Sequence, residues 1–152
     1  MDVFTKEQRS KVMASIRSRD TLPEMRIRKM LWSNGYRFRT CDRRIVGRPD
    51  IVIPRCRTLI EVRGCFWHHH GWEWDGGNLV QTSECAEATM PKSNQEFWEE
   101  KFKRNIIRDA EHERLWDAQG WNLIIVWECG LKNESLRAST FDFILRHLEQ
   151  FS

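Results

Sequence analysis

The chain has 152 residues, of which 40% are hydrophobic and 31% charged. This size and composition predict one globular domain with one core, and they exclude a largely disordered chain. No apolar run approaches the roughly 20 residues of a membrane span. The first residues form no apolar segment and include acids, which excludes a signal peptide, so we expect a cytoplasmic location and no membrane partner.

The formal net charge is only +3, but positive charge is concentrated in the first 57 residues. The basic residues there include Arg26, Arg28, Lys29, Arg37, Arg39, Arg43, Arg44, Arg48, Arg55 and Arg57, whereas residues 84–100 are acidic. Such a basic half can follow the backbone of DNA. An ordinary solvated surface is the alternative that charge alone leaves open.

Two helices are predicted at the start of the chain. Thr5 and Gln8 form a capping-box pattern that opens a helix over residues 5–16. Pro23, at a first-turn position, begins a second helix, and Gly35 ends it.

Strands are predicted next. Residues 36–40 alternate between apolar and polar side chains, as a strand does. Residues 50–53 and 58–63 predict an antiparallel pair around a turn at Pro54 and Arg55.

The second half is predicted to hold a loop, a helix, a strand and a helix. Residues 71–93 lack periodicity, which predicts a long inserted loop. Residues 94–119 predict one long helix. Residues 121–127 are almost continuously apolar, which predicts a central strand covered on both faces, and residues 134–151 predict a final amphipathic helix. The fold class is therefore α/β, with a mixed central sheet flanked by helices in one domain.

The first group of residues that can carry chemistry lies on the predicted strand pair. Asp50 begins one strand, and Glu61 and Arg63 lie two positions apart on one face of the next. This Pro-Asp…Asp/Glu-x-Lys type of pattern is the metal site of restriction-endonuclease-like nucleases, where carboxylates hold magnesium. Arg63 stands where this pattern usually has lysine. Because arginine cannot act as a base near neutral pH, we expect Arg63 to bind phosphate. The alternative is a surface salt bridge between Glu61 and Arg63.

The second group combines cysteine and histidine. The five cysteines are an odd number in a chain without a secretion signal, which argues against a disulfide framework. Cys65 stands close to three adjacent histidines at 68–70 and, with one of them, supplies half of a tetrahedral zinc site. Cys129 and Cys85 can complete the set. Small buried thiols are the alternative.

The third group lies on the long predicted helix. Asn105 and Asp109 are four residues apart and share a face, and Trp98 extends the same stripe. An aspartate near a histidine can orient a general base. Ordinary polar residues on a helix surface are the alternative.

Five sequence blocks together resemble the very-short-patch-repair (Vsr) family of DNA mismatch endonucleases. They are Arg19-Asp20-Thr21 with Glu24, Gly47-Arg48-Pro49-Asp50, Gly64-Cys65-Phe66-Trp67-His68, Phe97-Trp98 with Lys101 and Asn105, and Val126-Trp127-Glu128-Cys129. The resemblance implies a restriction-endonuclease-like, PD-(D/E)xK-type fold. It also implies magnesium-dependent nicking of double-stranded DNA, 5′ to the thymine of a T:G mismatch left by deamination of 5-methylcytosine. A monomer that acts on nucleoid DNA, alongside repair proteins, is also what the resemblance implies.

The resemblance also implies a role for each matching residue of the catalytic centre. Asp50 and the backbone carbonyl of Val62 resemble the magnesium ligands. His68 resembles the general base, Asp109 its orienting partner, and Glu24 a supporting carboxylate.

Other matching residues would contact DNA. The side chains concerned are Phe66, Trp67, Trp98, Lys101, Asn105 and Met13. The three aromatic rings resemble a wedge inserted into the duplex beside the mismatch. Met13, on an N-terminal helix within residues 1–20, would approach from the other groove.

The zinc set matches the family at three positions, Cys65, His70 and Cys129. Where the family usually has a cysteine, two residues after the zinc histidine, this chain has Trp72. We therefore expect Cys85, near the end of the inserted loop, to be the fourth ligand.

Glu61 stands where the repair enzymes often lack an acid, and we expect it to add a metal ligand. Two rival functions remain, a related endonuclease that cuts matched DNA in homing or phage defence, and a zinc-stabilised DNA-binding module without catalysis. The aromatic wedge favours mismatch recognition, and the intact catalytic residues argue against the module.

Overall fold

The computed structural model describes Thr5, Glu7 and residues 20–151. The helix expected over residues 5–16 lies outside the described residues except at two positions, and Met13 lies outside them altogether.

Three helices and six strands follow one another in the described part of the chain. The helices are α1 (Leu22–Ser33), α2 (Gln95–Ala118) and α3 (Glu134–Glu149), and the strands are β1 (Arg39–Thr40), β2 (Ile51–Ile53), β3 (Thr58–Arg63), β4 (Trp72–Trp74), β5 (Leu79–Gln81) and β6 (Asn122–Trp127). Single 3-10 turns occupy Pro54–Cys56 and Glu128–Leu131. No helix in the described ranges combines the length and the apolar character that crossing a bilayer requires.

The ends of α1 confirm the sequence-based prediction. Thr21 caps the helix, because its hydroxyl oxygen accepts a hydrogen bond from the backbone N–H of Glu24 at 3.4 Å. Pro23 lies in the first turn, where its missing N–H is tolerated. Gly35, with φ of +85°, follows the last turn. The cap holds Glu24 at the end of α1 that faces the cleft described below.

Four strands form a mixed sheet in the order β1-β2-β3-β6. The predicted antiparallel pair is confirmed, with Ile51 opposite Ile60, whereas β3 and β6 are parallel, with Arg63 beside Trp127. The prediction that residues 121–127 form a central strand is wrong, because β6 pairs only with β3 among the described strands and lies at the edge. Its apolar run reflects helices on both faces of the sheet, not its place in the strand order.

Helices cover both faces of this sheet. The larger core cluster joins α1 and α3 to one face, through Ile27, Leu31, Ile51, Ile53, Ile60, Ile124, Val126, Ile144 and Leu148. The smaller cluster joins α2 to the other face, through Val52, Leu59 and Trp116. Because side chains alternate along a strand, Asp50, Glu61 and Arg63 point to the α2 face.

The segment 71–93 was expected to be a loop without secondary structure, and its first part is instead a hairpin. Strands β4 and β5 are antiparallel, with Trp74 opposite Leu79. The Asp75 carboxylate accepts hydrogen bonds from the backbone of Gly77 and Asn78 at 2.8 and 2.7 Å and fixes the turn. Strands of three residues are too short to produce a readable alternation.

Candidate active site

Two half-buried carboxylates, those of Asp50 and Glu61, meet at the junction of β2 and β3. The backbone N–H of Asp50 donates to Glu61 Oε1 at 3.1 Å, and the N–H of Val62 donates to Asp50 Oδ2 at 2.7 Å. Burial, together with the charge of Glu24, raises the pKa of Asp50 to about 6. Burial and the charge of Asp50 raise the pKa of Glu61 to about 8. A cation between these groups would relieve the cost of holding both charges.

Glu24 is a third acid of the same cleft. Its side chain is only 3% exposed and accepts hydrogen bonds from the Asp20 backbone at 2.9 Å and from Arg28 at 3.2 Å. Burial raises its pKa, although both hydrogen-bond donors oppose the shift. Glu24 is therefore held in place before any ligand arrives.

His68 and Asp109 form the hydrogen-bonded pair that sequence reasoning predicted. His68 Nδ1 lies 2.6 Å from Asp109 Oδ2. Burial raises the pKa of Asp109, but the hydrogen bond and the charge of His68 outweigh it and the pKa is lowered overall. Because an ionised carboxylate can only accept, Nδ1 carries the proton and Nε2 is left to accept one. The geometry is that of an oriented general base.

Arg63 does not form the surface salt bridge with Glu61 that was the alternative. Its side chain is 4% exposed, and its ion pair runs to Glu113, with 3.6 Å between nitrogen and oxygen. Nε and Nη2 of Arg63 have no hydrogen-bond partner among the described residues. A buried guanidinium with free donors is a site where an anion would be stabilised.

These residues line one cleft with a volume of about 580 Å³. Its lining includes Glu24, Arg48, Asp50, Glu61, Val62, Arg63, Trp67, His68, Arg108, Asp109, His112 and Glu128. Sequence reasoning missed Arg108 and His112, which are four residues apart and flank Asp109 on α2. That spacing places them on one side of the helix and was a readable signal.

The aromatic residues form one cluster beside the cleft. Phe66 lies 5.1 Å from Trp67 and 5.3 Å from Trp98, between ring centroids. Trp98 is only 4% exposed, so it supports the two outer rings from beneath. Phe97, which sequence reasoning did not assign to the site, is 56% exposed beside Trp98.

Asn105 and Lys101, expected to contact DNA, both reach Trp67. The Asn105 side-chain amide donates to the Trp67 carbonyl oxygen at 2.9 Å. The Lys101 ammonium lies 5.9 Å from the centre of the Trp67 ring. Asn105 thus anchors the backbone that carries the outer aromatic pair.

Four predicted zinc ligands come together at the C-terminal ends of β3 and β6. The ligand atoms of Cys65, His70, Cys85 and Cys129 all lie within 4.8 Å of one another. His70 Nδ1 is 3.8 Å from Cys65 Sγ and 3.5 Å from Cys129 Sγ. The parallel pairing of β3 and β6 brings Cys65 and Cys129 together, since each of these two follows its strand by two residues. The cluster can hold a metal ion.

The three adjacent histidines point to three different places. His68 faces the cleft, and His70 faces the cysteines. His69 is 1% exposed and stacks on Phe102, with 4.0 Å between ring centroids. Its φ of +49° is the left-handed conformation that separates its two neighbours. One turn therefore carries both the candidate base and a candidate metal ligand.

Several basic residues of the first half are engaged within the protein. Arg44 pairs with Asp42 at 2.9 Å, Arg37 stacks 3.5 Å from the Trp32 ring centre, and Arg57 donates to the Gln119 carbonyl at 2.7 Å. Charge density along the sequence therefore overstates the surface that is open to DNA.

Known proteins resemble this chain over most of its length. The family model described as DNA mismatch endonuclease Vsr matches residues 1–74. The type II nicking enzyme V.NmeAIP of Neisseria meningitidis serogroup A is 37% identical over 148 residues, which cover 97% of this chain and 96% of that protein. The DNA mismatch endonuclease Vsr of Escherichia coli K12 is 38% identical over 131 residues, 86% of this chain and 76% of that protein. This chain belongs to the Vsr family and is a DNA endonuclease.

Proposed function

We propose that the protein nicks one strand of double-stranded DNA with magnesium, 5′ to the thymine of a T:G mismatch. The observation that supports this most is that the His68–Asp109 pair and the Asp50–Glu61 carboxylates line one cleft. A PD-(D/E)xK-type fold in one domain, acting as a monomer on bacterial nucleoid DNA, is part of the proposal. The name of the Escherichia coli relative supports a mismatch substrate, and the name of the Neisseria meningitidis relative supports nicking.

Asp50, Glu61 and the backbone carbonyl of Val62 would hold the magnesium ion. The donor set fits, because hard oxygen atoms from carboxylates and carbonyls are what magnesium prefers. Burial and a neighbouring carboxylate raise the pKa of both Asp50 and Glu61, and a bound cation would favour the ionised form of each. When bound, magnesium would neutralise the scissile phosphate and help a water molecule to ionise.

The protein's own residues carry the proton transfer. His68 Nε2 accepts the proton of the attacking water, and Asp109 stabilises the imidazolium that results. Glu24, fixed by Arg28 and the Asp20 backbone, supports the metal site as a further carboxylate next to Asp50.

Phe66 and Trp67 would form the part of the wedge that enters the duplex, with Trp98 as the support beneath them. Mispaired bases are already poorly stacked, so inserting a ring there costs a few kcal/mol less than in matched DNA. The role proposed for Met13 concerns a residue outside the described part of the chain.

A structural zinc ion fits the Cys/His cluster. Zinc in a tetrahedral site has sulfur at about 2.3 Å and nitrogen at about 2.0 Å, which places neighbouring ligand atoms roughly 3.5–3.8 Å apart. The two distances to His70 Nδ1, 3.8 and 3.5 Å, lie in this range. Cys85 in the inserted segment takes the fourth position.

Glu61→Gln is expected to raise the magnesium concentration that gives half the maximal nicking rate, with a smaller effect on DNA affinity. The reason is that Glu61 supplies a carboxylate beside Asp50 that the neutral amide cannot replace. Magnesium titrations of both proteins on one T:G duplex measure the effect.

Glu113→Gln is the matched control, because it removes the ion-pair partner of Arg63 and leaves the Asp50–Glu61 contact intact. Titration curves for Glu61→Gln that superimpose on the wild-type curve would show that Glu61 is no metal ligand.

The rival function, cleavage of matched DNA, is tested by competition between two substrates. A T:G duplex and the corresponding T:A duplex, distinguished by label, are mixed with one enzyme preparation. We expect faster nicking of the T:G duplex, because stacking opposes the wedge in the matched one. Equal rates on the two duplexes would favour the rival.

A further inference from the structure

The cleft has a second, positively charged side that the catalytic proposal does not use. On the first side, the charged groups acting on Asp50 include Glu24 and His68. On the second, burial and the positive charges of Arg108 and Arg63 lower the pKa of His112. The two sides are close enough to interact, since Asp109 also acts on His112 and Arg63 on Glu61.

Arg48 and Arg108 are the exposed cations of this second side. Arg108 is 54% exposed on α2, and its ion-pair contact is a distant one, 3.8 Å to Asp109 Oδ1. Arg48 is exposed and has φ of +46°; its backbone N–H donates to the Ile45 carbonyl at 3.1 Å, but its guanidinium forms no hydrogen bond or ion pair with any residue that the structure describes. The Arg48 guanidinium is thus free to bind an anion, and that of Arg108 keeps its donors, because its contact with Asp109 is too long for a hydrogen bond.

His112 connects the loop of Arg48 to the helix of Arg108. A Cβ atom on Gly47 would lie 2.8 Å from His112 Nδ1, so the imidazole fills the space that only glycine leaves open. Gly47 also has φ of +77°, which favours glycine. This contact fixes the distance between the loop that carries Arg48 and helix α2, which carries Arg108.

Arg63 lies at the base of the same side. Its Nε and Nη2 atoms are buried without a partner among the described residues, and its contact with Glu113 is long, at 3.6 Å. Buried donors without acceptors are unfavourable, and a nearby anion offsets part of this cost.

We propose that Arg48, Arg108 and His112 bind a second backbone phosphate of the cut strand, adjacent to the phosphate that is hydrolysed. Arg63 supplies the positive charge beneath it. The inference rests on the proposed function, because it takes the scissile phosphate to lie at Asp50.

A phosphate held here would set the register of the strand in the cleft. Contacts to phosphates position a protein on DNA without reading the sequence, and bidentate arginine suits phosphate oxygens. With its neighbour fixed, the scissile phosphate stays aligned with His68, so the contact acts mainly through DNA affinity.

The test combines a scan of the DNA backbone with substitutions in the protein. In each duplex of a T:G series, one phosphate near the nick is replaced by an uncharged methylphosphonate, and binding is measured without magnesium. For the wild type, we expect one neighbouring position at which affinity falls on the order of tenfold. Arg108→Gln should weaken binding to the unmodified duplex and lower the salt slope by about 1.

The decisive comparison is at that single position. In Arg108→Gln the methylphosphonate there should change affinity less than about twofold, because the contact is already lost. Arg48→Gln should lose sensitivity at the same position. The control, Arg114→Gln, removes an exposed arginine of α2 that pairs with Glu111 and does not line the cleft, and it should behave as the wild type.

Scans of Arg108→Gln and the wild type that superimpose at every position would overturn the proposal. So would a wild type with no sensitive position, or Arg48→Gln and Arg108→Gln responding at different phosphates. Failure of the proposed function is a separate result, since it shows as absence of nicking of the T:G duplex by the wild type, whereas the scan is read from binding.

Discussion

Replacing His68 by alanine is expected to lower the nicking rate by ~10²–10⁴-fold while leaving affinity for a T:G duplex nearly intact. His68 Nε2 is the free acceptor of an imidazole whose other nitrogen is 2.6 Å from Asp109. Loss of the His68 side chain removes this proton transfer, but it removes no proposed contact with DNA in the complex that forms before the reaction. Single-turnover rates at saturating DNA, and binding without magnesium, separate the two effects.

His147→Ala serves as the control, because His147 packs against exposed Phe143 of α3 and does not line the cleft. Asp109→Asn should also slow nicking, since an amide that donates to Nδ1 favours the wrong tautomer of His68. The double variant should be no slower than His68→Ala alone, because the pair acts as a unit. A near wild-type rate for His68→Ala would contradict its role.

Replacing Cys65 or Cys129 by serine is expected to remove zinc and to destabilise the protein. The two thiols tie together the ends of neighbouring strands, and a structural zinc site contributes directly to folding. A loss of about 3 kcal/mol would lower Tm by roughly 6–12 °C in a chain of this size. Elemental analysis and thermal unfolding of the purified variants measure both quantities.

Cys85→Ser tests the fourth ligand that the inserted segment supplies. Cys41→Ser is its control, because Cys41 lies outside the cluster and the variant should retain zinc. Purified wild-type protein without zinc would show the whole assignment to be wrong. Full zinc content in Cys85→Ser would show that Cys85 is not a zinc ligand and would leave the other three assignments unchanged.

Part of the fold could be predicted because its signals are local. Thr21, Pro23 and Gly35 are cap signals, and they locate α1 correctly. The edge position of β6 has no local signal, since a strand between two helix layers is apolar on both faces wherever it lies in the sheet. The hairpin in residues 71–93 was missed because its strands have three residues each.

The candidate site was predictable where strand alternation or helix spacing determines a shared face. This placed Asp50 with Glu61, and it put Asp109 and Asn105 on one side of α2. Partner choice depends on tertiary packing, so the pairing of Arg63 with Glu113 had no signal in the sequence. The different directions in which the three adjacent histidines point likewise depend on the left-handed turn at His69.

The most direct test of the account uses a duplex that carries one T:G mismatch and a label on each strand. The products formed in magnesium and in chelator are mapped at nucleotide resolution. We expect a single cut in the thymine strand, immediately 5′ to the mispaired thymine, and no cut in chelator. Cleavage of both strands, a cut elsewhere, or undiminished cleavage in chelator would contradict it.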